Sequence, residues 1–302
     1  MARKHQDIID QLTLEEKASL MSGKDFWQTQ EIDRVGLPSI FLSDGPHGLR
    51  KQQAAADNLG LNESYKATCF PTASAIASSW NLELGKEIGI ALGKESIYQK
   101  VHVLLGPGIN IKRNPLCGRN FEYFSEDPYL AGKMAAGYVR GIQSNGISSC
   151  IKHFACNGQE MDRFNSNSIL SERALREIYM KGFKIAVEES NPIAFMTSYN
   201  LINGVHSSER RDLLIDVVRI EWGYNGLIMS DWYTSNQRKI GLANHASQHA
   251  VTNILGGNNL QMGGGKNDYD IVMKNVEEGN VNTLNLLECA SKVYDAIQLL
   301  NQ

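Results

Sequence analysis

The chain has 302 residues, 42% of them hydrophobic and 21% charged, enough apolar material to bury a large core. Its 30 basic and 33 acidic side chains are well mixed and sum to a formal charge of -3, which speaks against a nucleic-acid or anionic-membrane partner. No apolar run approaches the roughly 20 residues needed to span a bilayer, and the opening MARKHQDIIDQLTLEEK is too polar for a signal peptide, so a cytoplasmic protein is expected.

In chain order, Thr13-x-x-Glu16 is a capping box that announces a first helix. Strands are expected at SIFLS (39–43) and ATCF (67–70), then a helix over 81–99 after Asn81. HVLLG (102–106) precedes a helix over 128–145, with Asp127 as cap, Pro128 in the first turn and Gly146 at the end. SCIKHF (149–154), a helix over 172–189 after Ser171, IAFMTSY (193–199), a helix over 212–222 and GLIMSD (226–231) continue the alternation. Residues 235–255 read as partly helical, NLQM (259–262) as a seventh strand, and 269–278 after Asp268 and 283–300 as helices. Repeated βα units of this number and length predict a (β/α)8 TIM barrel, one domain over 1–302, although an eighth strand is not evident.

No Gly-x-Gly-x-x-Gly follows the first strand, and LGGNNLQMGGGKND lacks the Lys-Ser/Thr ending of a phosphate loop, so no nucleotide cofactor is expected. Cys69, Cys117, Cys150, Cys156 and Cys289 are odd in number and contain no CxxC pair. They read as buried thiols. Cys150, His153 and Cys156 do not match zinc spacing, so no metal is expected.

The polar residues carry more information by position. In such a barrel the active site forms at the carboxyl ends of the strands. Asp44 follows Phe41-Leu42-Ser43, Lys152 and His153 end SCIKHF, Tyr199 and Asn200 end IAFMTSY, and Asp231 and Trp232 end GLIMSD. A strand closing on a carboxylate needs a partner for it. Asp231 either caps the next helix or belongs to a site fed by four strands. Lys152, His153, Arg119 and Arg163 supply donors, Asp44 an acceptor for two hydroxyls, and Trp232 a flat apolar face. Those are the groups that a sugar ring demands. A lysine enzyme of the aldolase type, with a Schiff base at Lys152, is the competing chemistry.

LSDGPHGLR (42–50), CFPTASAIASSWN (69–81), GPGINIKRNPLCGRNFEYFSEDPYLAG (106–132), IKHFACNGQEMDR (151–163), MTSYNLINGVHSSE (196–209) and EWGYNGLIMSDW (221–232) resemble, in this order, the barrel of glycoside hydrolase family 3, the β-glucosidase and β-xylosidase group. The resemblance implies that Asp231 is the nucleophile of a retaining mechanism, forming a covalent glycosyl-enzyme. It implies that Asp44, Arg119, Lys152, His153 and Arg163 hold the sugar hydroxyls, that Tyr199 lies near the nucleophile and that Trp232 packs along the sugar. The substrate would be a β-glucoside or a related small saccharide, with no cofactor.

The resemblance also implies a gap. Multidomain members supply the general acid/base from an αβα sandwich domain beyond the barrel, absent from this sequence. The hexosaminidase branch uses a histidine in a loop after Lys-His-Phe-Pro-Gly-His-Gly, where this chain has Lys152-His153-Phe154-Ala155-Cys156-Asn157-Gly158. Glu122, Glu160 and Asp162 read as structural carboxyls. The expectation is a β-glucosidase-like barrel, weak alone; the alternative is a non-catalytic sugar-binding barrel, or half of a glycosidase completed by a second domain or by self-association.

Overall fold

The computed structural model describes residues 5–53, 61–234 and 250–301. They form two compact units, one from Phe41–Gly204 and one from Met1–Ile40 with Val205–Gln302.

In Phe41–Gly204, β1 (Leu42–Ser43), β2 (Val103–Leu104) and β3 (Ser148–Phe154) lie side by side in parallel, with Leu42 opposite Val103 and Val103 opposite Ser148. A short parallel pair joins β4 (Asn167–Ser168) to β6 (Leu201–Ile202). Between them in sequence, β5 (Ala194–Thr197) extends the main sheet, Cys150 facing Ala194 and, past an irregularity, Phe154 facing Thr197. Every residue of β3 and β5 is buried, as a parallel sheet covered on both faces requires.

The covering helices begin where the caps place them. Asn81 accepts the amides of Glu83 and Leu84 at the start of the helix Leu82–Tyr98, and Asp127 accepts that of Leu130 ahead of Pro128–Gln143. These two helices approach through glycine. A Cβ on Gly89 would sit 2.4 Å from the Tyr138 carbonyl oxygen, and one on Gly141 would sit 2.2 Å from that of Lys86. Beneath them Phe154, Phe183 and Phe195 interlock, Phe154 edge-on to the other two at centroid distances of 5.2 and 4.9 Å. The expected helix over 172–189 starts on Ser171 but widens to i→i+5 bonding over Leu175–Tyr179 before resuming at Lys181–Ser190.

The second unit holds β7 (Val205–His206), β8 (Leu227–Met229) and the helices Gln6–Gln11, Leu14–Ser19, Asp212–Glu221, Ala250–Gly256, Lys266–Glu277 and Thr283–Leu300. The capping box closes as read: Thr13 Oγ1 accepts from Glu16 N at 3.2 Å and Glu16 Oε2 from Thr13 N at 2.8 Å. Met21, Ile254, Val272, Val281, Leu286 and Cys289 lie in its core.

Several expectations need correction. Residues 67–70 form no strand: 67–69 are exposed, and Phe70 N donates to the His47 carbonyl instead of a ladder. Pro71, which follows directly, has no amide to donate to a ladder, and exposed residues of strand-favouring type gain nothing from pairing there. Residues 259–262 pair only through single bridges, Leu260 with Met229 and Gln261 with Ser22. Gly265, not Asp268, precedes the helix Lys266–Glu277, and Asp268 is buried in its first turn. Cys69 is exposed, whereas the other four cysteines are buried thiols. The helices Gln6–Gln11 and Ala73–Ser78 escaped sequence reading, each being only six residues long. Of the stretch 235–255, residues 235–249 lie outside the described residues. No helix among the described residues is long and apolar enough to cross a membrane.

Candidate active site

Parallel strands leave polar groups at their carboxyl ends, and in Phe41–Gly204 these groups meet. Asp44 directly follows β1, and Lys152 and His153 close β3, the latter two only 3% and 1% exposed. Lys152 Nζ donates to Asp44 Oδ1 at 2.9 Å and stands 3.7 Å from Glu122 Oε2. Arg50 brings a second cation to within 3.6 Å of Asp44 Oδ2. The loop carrying Arg119 and Glu122 adds a guanidinium whose Nε donates to Glu122, whose Nη1 lies 3.8 Å from Glu160, and whose Nη2 reaches His153 Nε2 at 2.9 Å. Glu160 also takes Arg163 at 3.2 Å and Asn157 Nδ2 at 3.1 Å.

The charges set one another's protonation. Burial pushes the Asp44 carboxyl up, but Lys152, Arg50 and Arg119 outweigh it and hold it well below the usual carboxylate range. Burial likewise works against the Lys152 ammonium, which Asp44 and Glu122 more than restore. His153 has no such relief: burial, then Arg119, Lys152 and Arg163, drive it far below the ordinary imidazole value, so it is neutral. Arginine can only donate, so His153 Nε2 accepts and its proton sits on Nδ1, facing Tyr123 Oη at 3.1 Å. Asn157 Nδ2 donates to the same hydroxyl at 3.0 Å, and Asn110 brackets the His153 backbone with two 2.8 Å bonds. Tyr199, two residues past β5, is buried edge-on to Phe164, with the Arg163 guanidinium 4.8 Å over its ring.

The remaining two predicted site residues stand in the other unit. β8 is wholly buried and runs through Ser230 into Asp231, which is 7% exposed and accepts the Trp232 amide on Oδ1 at 2.7 Å. Trp232 is 5% exposed; its Nε1 donates to the Phe26 carbonyl at 2.8 Å and its ring lies 5.2 Å from that of Trp27. Its indole therefore packs largely against protein. Among the described residues no group of three His, Cys, Asp or Glu is placed to hold a metal ion.

Arg50, Tyr123, Asn110 and Asn157 were missed by sequence reading, although each lies in one of the six polar-rich runs. Glu122 and Glu160 hold cations in place, in keeping with their reading as structural carboxyls. The cluster that results is a set of oriented donors around one ionised acceptor, and Asp44, with 35% of its side chain exposed, keeps lone pairs open to an outside hydrogen-bond donor.

A parallel α/β fold that gathers such a cluster at the carboxyl ends of its strands has the architecture of the β/α barrel enzymes, which build their active sites there. Residues 13–296 match the glycosyl hydrolase family 3 N terminal domain, and the chain belongs to that family. It is 52% identical over 242 residues to thermostable beta-glucosidase B of Acetivibrio thermocellus, covering 80% of this chain and 32% of that protein. It is 47% identical over 290 residues to an exo-alpha-(1->6)-L-arabinopyranosidase of Bifidobacterium breve, covering 96% and 37%. Beta-glucosidase 3B from Thermotoga neapolitana, solved in complex with glucose, superposes with a TM-score of 0.87 at 40% identity over 97% of this chain and 42% of that one. The fold is thus the (β/α)8 barrel read from the sequence. The chain spans about a third of the length of these curated relatives.

Proposed function

We propose that the chain is the barrel of a retaining β-glycosidase of β-glucosidase type, with Asp231 as the nucleophile. The observation that carries this reading is the Asp44–Lys152–Glu122–Arg119 network, an ionised acceptor among fixed donors at the strand ends of a family 3 barrel. Asp44 accepts two adjacent sugar hydroxyls. Lys152, Arg119 and Arg163 donate to their oxygens, and neutral His153 orients Arg119 from behind. The Asp231 carboxylate attacks the anomeric carbon as the glycosidic oxygen leaves, forming a glycosyl ester that water then hydrolyses. Glu122 and Glu160 are bound to arginines, so neither is offered as the proton donor. The arabinopyranosidase relative fits the same scheme, because an α-L-arabinopyranoside carries its glycosidic bond in the same equatorial sense as a β-D-glucoside.

The test uses a dinitrophenyl 2-deoxy-2-fluoro-β-glucoside, whose leaving group needs no acid. Mass spectrometry is expected to find a stable adduct on the peptide bearing Asp231 and none in Asp231→Asn. An adduct elsewhere, or none on folded protein, refutes the assignment.

A second reading, a sugar-binding barrel completed by another domain or chain, draws on Leu116, Phe121 and Met161. These apolar side chains, 90%, 54% and 81% exposed, lie on the loops that carry Arg119 and Glu160. Turnover that appears only on adding such a partner would favour it; good turnover by the barrel alone would exclude it.

A further inference from the structure

Away from the charge cluster, Lys51, Tyr65, Lys66, Tyr98, Gln99 and Lys100 line a hollow of about 520 Å³. It is built rather than incidental. Tyr65 N donates to the Lys51 carbonyl at 2.8 Å, tying two loop strands together, and Gln99 Nε2 donates to the Lys66 carbonyl at 3.2 Å, tying that loop to the end of the helix Leu82–Tyr98. Lys51 Nζ satisfies the Gln99 carbonyl at 2.6 Å, which offsets the negative end of the helix dipole.

What remains is unbalanced. No ion pair to Lys51, Lys66 or Lys100 forms among the described residues; Glu95, one turn back on the helix, gives its carboxylate to Thr68 instead. Burial, and after it the neighbouring Lys100, push the Lys51 ammonium down from its ordinary value. Beside these groups stand two aromatic rings that the protein leaves bare, Tyr98 at 87% exposed and Tyr65 at 49%.

We propose that this hollow is a second saccharide site, selective for an oligosaccharide that bears uronic acids. Its carboxylates meet Lys66 and Lys100, and the apolar face of a sugar ring lies on Tyr98 or Tyr65. The site uses no residue assigned to the active site, so it stands or falls separately from the glycosidase reading.

The test is calorimetric titration of the full chain, carrying Asp231→Asn to prevent turnover, with trigalacturonate, neutral cellotriose and inorganic phosphate in low salt. Trigalacturonate is expected to bind, to weaken by about tenfold or more in Lys66→Glu/Lys100→Glu and by about fivefold in Tyr98→Ala, and to weaken several-fold in 0.5 M salt. These are surface side chains, and an unchanged melting temperature will confirm that the variants fold. Equal binding in wild type and the lysine variant, or none at millimolar ligand, overturns the proposal. So does phosphate that binds as tightly as trigalacturonate, which would mark a bare anion site, or cellotriose that binds as tightly and is equally weakened by Tyr98→Ala.

Discussion

Glu122 is the side chain on which the buried charge cluster balances, and Glu122→Gln tests that balance. It is 4% exposed, donates nothing, and faces both Arg119 and Lys152. At 3.7 Å, the Lys152 interaction alone has a gross Coulomb energy of about 4 kcal/mol at the effective dielectric of protein interiors. Desolvation of the same carboxylate offsets part of this. Breaking a buried pair nevertheless costs about 3–5 kcal/mol, because the cations left behind stay buried. Gln retains a hydrogen bond to Arg119 Nε, so the lower end, about 3 kcal/mol, is expected. At roughly 2 °C per kcal/mol for a chain of this length, the midpoint should fall by about 6 °C in calorimetry at pH 7. Lys152→Met added to Glu122→Gln should recover part of the loss in a double-mutant cycle. A fall below about 1 kcal/mol, or simple additivity of the two substitutions, would refute the claim that Glu122 compensates these cations.

Other consequences are open to measurement. His153 is neutral in the folded state and has a depressed pKa, whereas the unfolded chain takes up a proton below about 6.5, so stability should fall as pH drops from there. His153 contributes about 1.4 kcal/mol per pH unit to this slope, beside the shares of His47 and His102, whose imidazoles burial also holds down, and His153→Gln should remove its own share from urea stabilities between about pH 6 and 5. Asp44 adds a second loss below its unfolded value of 3.8, since its folded pKa is also depressed. Of the five cysteines, Cys69 alone should react quickly with a disulfide reagent in native buffer; Cys289 is buried with its thiol pushed up to about 12, and full reaction should require denaturant. Trp232→Phe should cost about 1–3 kcal/mol in urea unfolding, because the Phe26 carbonyl loses its indole donor; an unchanged midpoint would show that this bond is not needed.

Local rules made much of the chain legible. Thr13, Asn81, Asp127 and Ser171 each cap the helix they were read to start, because a cap acts on amides two or three residues away. Five of the seven expected strands form, each buried along its whole length. Position at strand ends singled out Asp44, Lys152, His153, Tyr199 and Asp231 before any contact was known. Where strand propensity was the only signal, as at 67–70, it failed, because β propensity reports fit to a buried sheet that the sequence does not itself display. The pairing of Arg119 with His153, the tautomer of His153 set against Tyr123 and the enclosure of Trp232 depend on groups separated by 34, 30 and 206 positions. No periodicity spans such distances. Residue types and strand ends are therefore set by the sequence alone, whereas which charges meet, and hence which are neutral, is decided only when the folded chain excludes water from around them.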